Sequence, residues 1–227
     1  MKHIVLLGDS IFDNSSYVNA GELDVPNQLI SLVDDDCKVT NLAVDGNVTR
    51  HINNQLKKLP ADATHLSVSV GGNDGLGHLS IFNESVETMG EALQKMYLIG
   101  EGFKSEYSSM VDQVLSYDLP TVFCSIYYPR YDVKSLNRVE HYMSTQTNKM
   151  VKQQIVMAAE TIFNDIITYE VFKRKLSMID LRVLCDKDED FANPIEPSCI
   201  GGLKIAKTIN KIANDHSFES NVSEVYV

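Results

Sequence analysis

Three residues of this 227-residue chain have the chemistry that acyl transfer needs: Ser10, Gly46 and Asn73. Ser10 follows Gly8-Asp9 at the end of an apolar run, so a sharp turn would bring its hydroxyl to a rim. A hydroxyl there could attack a carbonyl carbon, and the N–H groups of the turn could face an anion. Attack builds negative charge on the carbonyl oxygen, and a donor aimed at that oxygen is worth about 3–4 kcal/mol. The N–H of Gly46 can approach closely because no side chain blocks it. Asn73 carries a neutral amide donor that needs no particular pH, and Gly71-Gly72 before it lets the backbone bring that amide against a substrate. Each residue taken singly has a plainer reading: a capping serine, a loop glycine and an Asx-turn asparagine.

These residues act together only if the fold places them on one edge. Apolar residues 4–7 run unbroken into Gly8, as a buried parallel strand does. Residues 38–44, 66–70, 120–127 and 176–181 read as four further strands. Between them lie helical patterns over 25–33, 48–59, 85–117 and 144–172, and a last one over 200–214. The helix over 85–117 carries Gly100 and Gly102 as a candidate bend. Alternation of this kind predicts βαβ units and a mainly parallel five-stranded sheet in one domain over 1–215, with a loosely ordered tail over 216–227. In such sheets ligands sit beyond the carboxyl ends of the strands. Gly8-Asp9-Ser10, Asp45-Gly46-Asn47 and Gly72-Asn73-Asp74 each follow a strand end, so all three are expected on one rim.

Composition narrows the partners. The formal charge of −11 repels phosphate backbones and anionic membranes, which excludes nucleic acid as a natural partner. No apolar run is long enough for a membrane span, and no leader pattern precedes the first strand. Cys37, Cys124, Cys185 and Cys199 are widely spaced without a CxxC pair, which predicts reduced thiols in a cytoplasmic protein and no zinc site. Asp34-Asp35-Asp36 reads as a solvated turn, with no metal or other cofactor implied. Nothing in the sequence sets the oligomeric state.

The segment Val5-Leu6-Leu7-Gly8-Asp9-Ser10 resembles the first block of the SGNH (GDSL) hydrolases. Residues 41–49, with Gly46, resemble the second block, and Val70-Gly71-Gly72-Asn73-Asp74 the third. Residues 197–206 resemble the segment after that family's catalytic histidine. The resemblance implies a flavodoxin-like three-layer α/β sandwich and a serine hydrolase acting on carboxylic esters, as an esterase, lipase, acylhydrolase or deacetylase on small-molecule substrates. It also implies Ser10 as nucleophile, and the Ser10 N–H, Gly46 and Asn73 as oxyanion hole.

The last block departs from the family's Asp-x-x-His-Pro. Here it reads Asn193-Pro194-Ile195-Glu196-Pro197, so Asn193 stands for the aspartate and Glu196 for the histidine. Glu196 then becomes the expected base, in a Ser-Glu pair. Its stiff apolar neighbours suit a desolvated carboxyl, for which a catalytic value of about 6–7 is expected. His51 and His78, each following a block, are the alternative bases; His3, His65, His141 and His216 are placed less well. The rival function is a binding protein on the same fold that has lost its base and holds an acyl or glycan ligand without turnover. Tyr127-Tyr128-Pro129-Arg130-Tyr131 follows the fourth strand and is expected to border the pocket.

Overall fold

Strand β1 (His3–Gly8) is buried along its whole length, and its alternate side chains enter two different cores. Ile4 and Leu6 join one cluster with Val25, Leu29, Ile205 and Ile209. Val5 and Leu7 join another with Val111, Val114, Ile167 and Val171. A strand that is apolar on both faces needs a helical layer on each side, which makes a three-layer α/β sandwich. The computed structural model describes residues 1–131 and 149–227, with the backbone alone for 149–152.

The sheet has the order β2-β1-β3-β4-β5-β8, with every neighbouring pair parallel. Its strands are β1, β2 (Lys38–Asn41), β3 (His65–Ser69), β4 (Thr121–Cys124), β5 (Ser177–Ile179) and β8 (Val225–Tyr226). Helices α1 (Val25–Leu32) and α7 (Cys199–Asp215) cover one face. The long α4 (Met89–Leu115) and α5 (Lys149–Lys173) cover the other with the short α2 (Ile52–Leu56). Two further short helices, α3 (Gly72–Leu76) and α6 (Leu181–Leu184), follow β3 and β5. A small antiparallel hairpin, β6 (Phe191–Asn193) with β7 (Glu196–Pro197), precedes α7.

Six strands replace the five expected. The sixth comes from the segment expected to be a tail: β8 pairs with β5 through Met178 and Ile179. It is held further by His216, which meets the Tyr226 hydroxyl at 2.8 Å. An edge strand of two residues has almost no pattern to read, which is why it escaped the sequence. The helix expected over 85–117, with a candidate bend, is α4, which runs unbroken through Gly100 and Gly102. Gly100 serves packing instead, since a Cβ there would lie 2.9 Å from Ile162 of α5. The helix expected over 48–59 opens with a tight 3-10 turn at Thr49–His51 before α2. His141 and the start of the helix expected from residue 144 lie outside the described residues. Among the described residues no helix is long and apolar enough to cross a membrane.

Candidate active site

The turn after β1 depends on Gly8. Its φ is 145°, and a Cβ there would sit 1.9 Å from the Ser69 carbonyl oxygen on neighbouring β3. Only glycine lets the two strand ends come this close. The Gln55 side chain from α2 grips Gly8 at both backbone groups: Nε2 donates to its carbonyl at 2.7 Å and Oε1 accepts from its N–H at 2.8 Å. The Asp9 N–H then donates to Ser69, and the Asp9 carboxylate accepts from the Ile11 N–H. Ser10 emerges from this clamp only 6% exposed, facing a cavity.

Asn73 reaches the same cavity from the carboxyl end of the adjacent strand β3. Gly71, at φ 129°, turns the chain out of β3 into α3. One hydrogen of the Asn73 amide is committed to the Asn47 carbonyl at 3.0 Å. Beside it, Asp74 accepts from the Thr49 N–H and hydroxyl. The amide is therefore held in one orientation with its second hydrogen unassigned. Gly46 has a left-handed φ of 77° in the turn after β2, but it is exposed and does not line the cavity.

Glu196 arrives on the β6–β7 hairpin. Asn193 faces Glu196 across that hairpin, and its side-chain oxygen accepts from the Ile195 N–H at 3.0 Å, which closes the turn. Three ties from elsewhere fix the hairpin against the rim. The Tyr127 hydroxyl donates to the Ile195 carbonyl, the Arg130 N–H donates to the Pro194 carbonyl, and the Asn14 amide donates to the Pro197 carbonyl. Asn14 also accepts from the Val25 N–H, so one fully buried side chain joins the segment after Ser10, the start of α1 and the hairpin. Asn14 and Gln55 are positioning residues that the sequence does not single out, because nothing local distinguishes them from ordinary loop and helix amides.

Ser10, Asn73 and Glu196 thus line one cavity, together with Asp9 and Tyr127. Glu196 is 4% exposed, and its Oε2 has no hydrogen-bond partner. Burial is the main influence on this carboxyl and pushes it up to about 9; the Ser10 hydroxyl beside it opposes the shift, and Asp9 and Asp45 add to it. The value exceeds the 6–7 expected from sequence, because desolvation here is nearly complete and no cation offsets it. Burial likewise pushes Asp9 up to about 7.

Of the two alternative bases, His78 borders the cavity and His51 does not. His51 accepts from the Val48 N–H and does not line the cavity. His3 and His65 lie at the opposite ends of β1 and β3, and His216 is bound to Ser177 and Tyr226. His78 does line the cavity, as an exposed residue. Tyr127, Pro129 and Tyr131 border the cavity as expected, and Glu160 and Phe163 of α5 do so without having been expected.

The chain matches the GDSL-like Lipase/Acylhydrolase family over residues 4–202. No curated protein matches it in sequence. Its fold is similar to that of a phospholipase A1 from Streptomyces albidoflavus NA297, with a TM-score of 0.63 at 14% identity, covering 92% of this chain and 99% of that one. It is also similar to an extracellular lipase from Streptomyces rimosus (TM-score 0.60, 15% identity, 96% and 100% covered). A psychrotrophic esterase from Pseudoalteromonas sp. has the same TM-score and identity, with 95% and 100% covered. The family match spans most of the chain and the fold agrees with it, so the chain belongs to the GDSL-like lipase/acylhydrolase family and is an ester hydrolase of that type.

Proposed function

We propose that Ser10 is the nucleophile of this hydrolase and that Glu196, in place of a histidine, is its base. The supporting observation is that Ser10, Asn73 and Glu196, from three distant segments, line one cavity. An ordinary carboxylate, near 4.5, takes a proton poorly from a serine hydroxyl. A carboxylate whose conjugate acid titrates near 9 is a much stronger base. Ionised Glu196 accepts the Ser10 proton as the hydroxyl oxygen attacks the ester carbonyl. The developing oxyanion is received by the Ser10 N–H and the free hydrogen of Asn73. The protonated carboxyl then passes its proton to the leaving alkoxide, which leaves as the alcohol, and an acyl-Ser10 remains. A water molecule gives its proton to Glu196 and attacks the acyl carbon; the carboxylic acid departs and the proton returns to Ser10.

Asn193, expected at the orienting position, acts in this scheme by shaping the turn that presents Glu196. The Gly46 turn contributes indirectly, because its neighbour Asn47 holds the Asn73 amide. The four free thiols support the reducing, cytoplasmic setting expected from sequence. A fluorophosphonate probe tests the assignment: Ser10 should be labelled in the parent protein, and labelling should vanish in Ser10→Ala. Labelling at another residue, or its persistence in Ser10→Ala, refutes Ser10 as nucleophile.

A further inference from the structure

Helix α5 turns one face toward the cavity through Val156, Ala159, Glu160 and Phe163. This is an apolar stripe of helical spacing broken by a carboxyl. Glu160 Oε1 is buried without a hydrogen-bond partner, and so is the hydroxyl of Tyr131 in the same cavity. Among the described residues Arg182 acts on Glu160, but its guanidinium is already engaged by Asp180, at 2.8 and 2.6 Å. With Asp9 and Glu196, three carboxyl groups line the cavity; among the described residues no lysine or arginine lines it, and His78 is the one basic residue that does. Buried carboxyls are ordinarily paired with a cation. Here burial alone pushes Glu160 up to about 9, with Arg182 only partly opposing it. Phe82, Tyr127, Tyr131 and Phe163 contribute aromatic rings to the wall, and a ring face attracts a positive charge.

We infer that this cavity selects esters carrying an ammonium group, with Glu160 as the anionic partner of that group and the aromatic wall around it. The inference rests on the reading of the cavity as the ester site and adds the substrate class. On entry the cation replaces the Glu160 proton, which passes to solvent. Among the described residues the other titratable groups lining the cavity are Asp9, Glu196, Tyr127, Tyr131 and His78, and Arg182 acts on Glu160 from outside the lining. A hydroxyl-bearing alcohol portion would satisfy the hydrogen bonds but would supply no positive charge to pair with Glu160 in its ionised form.

The test compares two esters of equal shape, 2-(trimethylammonio)ethyl butyrate and its uncharged carbon isostere 3,3-dimethylbutyl butyrate, with 2-hydroxyethyl butyrate as the polar control. At pH 8 the parent should show kcat/KM at least about tenfold higher for the cationic ester than for either neutral one, and in Glu160→Gln the ratio should fall to about 1. Glutamine has the shape of the protonated acid, so this variant should fold. Tetramethylammonium at constant ionic strength, against tert-butanol, gives an independent reading as inhibitor of the neutral ester. Equal kcat/KM for the cationic ester and its isostere in the parent, preference for the hydroxyl ester, or a cation preference that survives Glu160→Gln overturns the inference. Calorimetric binding of the same esters to Ser10→Ala separates the two readings. Tighter binding of the cationic ester without turnover upholds Glu160 whatever the nucleophile, and equal binding overturns it.

Discussion

Glu196→Gln isolates the proposed base from the rest of the site. With the carboxyl at about 9, roughly 1 in 100 parent molecules holds ionised Glu196 at pH 7, about 1 in 10 at pH 8 and about half at pH 9. The parent's kcat/KM on a p-nitrophenyl ester should therefore rise about tenfold from pH 7 to 8, rise again towards 9, and then level off. Glutamine matches the neutral acid in shape but cannot take the Ser10 proton. The variant should lose this rise and fall by about 100- to 10,000-fold at pH 9, the range that general-base catalysis supplies. Its melting temperature at pH 7 should stay close to the parent's, because the parent carboxyl is already protonated there. The assay is a pH–rate profile of parent and variant between pH 5 and 10, corrected for spontaneous hydrolysis. A parent profile that is flat between 7 and 9, or a variant as fast as the parent at pH 9, refutes Glu196 as base. A rise with pH that survives Glu196→Gln but disappears in His78→Gln would move the role to the exposed rim.

Asn73→Ala should lower kcat about 100-fold or more with a smaller change in KM, since its free amide hydrogen acts on the oxyanion of the transition state; an unchanged kcat removes it from the oxyanion hole. Gly8→Ala should destabilise the protein by several kcal/mol, about 3 or more, because its Cβ would overlap the Ser69 carbonyl at 1.9 Å; chemical denaturation with a midpoint equal to the parent's would contradict that clash. Stability should fall as pH rises from about 5 to 9. Glu196 and Glu160, both pushed up to about 9, and Asp9, up to about 7, hold their protons more tightly folded than unfolded. Their contribution is complete below the ordinary carboxyl range and lost as pH passes through the raised values; denaturant midpoints at pH 5, 7 and 9 measure it, and a midpoint that climbs over this range opposes the burial of these carboxyls.

Much of the architecture was legible in the chain because it is encoded locally. The unbroken apolar run ending in Gly8, the strand–helix alternation and the glycine-flanked turns determined a parallel sheet with Ser10 and Asn73 at strand ends. Those signals are side-chain pattern and backbone freedom, and both can be read without knowing what packs against what. The position of Glu196 at the end of the chain of blocks was legible too, but its proton affinity was not. That affinity comes from desolvation, which Tyr127, Arg130 and Asn14 impose by pinning the hairpin onto the rim from 68, 64 and 183 residues away in sequence. Glu160 shows the same division. The sequence placed it only within the helix expected over 144–172, and tertiary packing decided that this face of the helix meets the Ser10 cavity and that Arg182 is already taken by Asp180. Gly46 marks the opposite case, since its type and spacing suited an oxyanion donor while the folded turn leaves it in solvent. Residue type and spacing determine what a group can do; distance, burial and unshared partners, which arise only when remote segments meet, decide whether it is placed to do it.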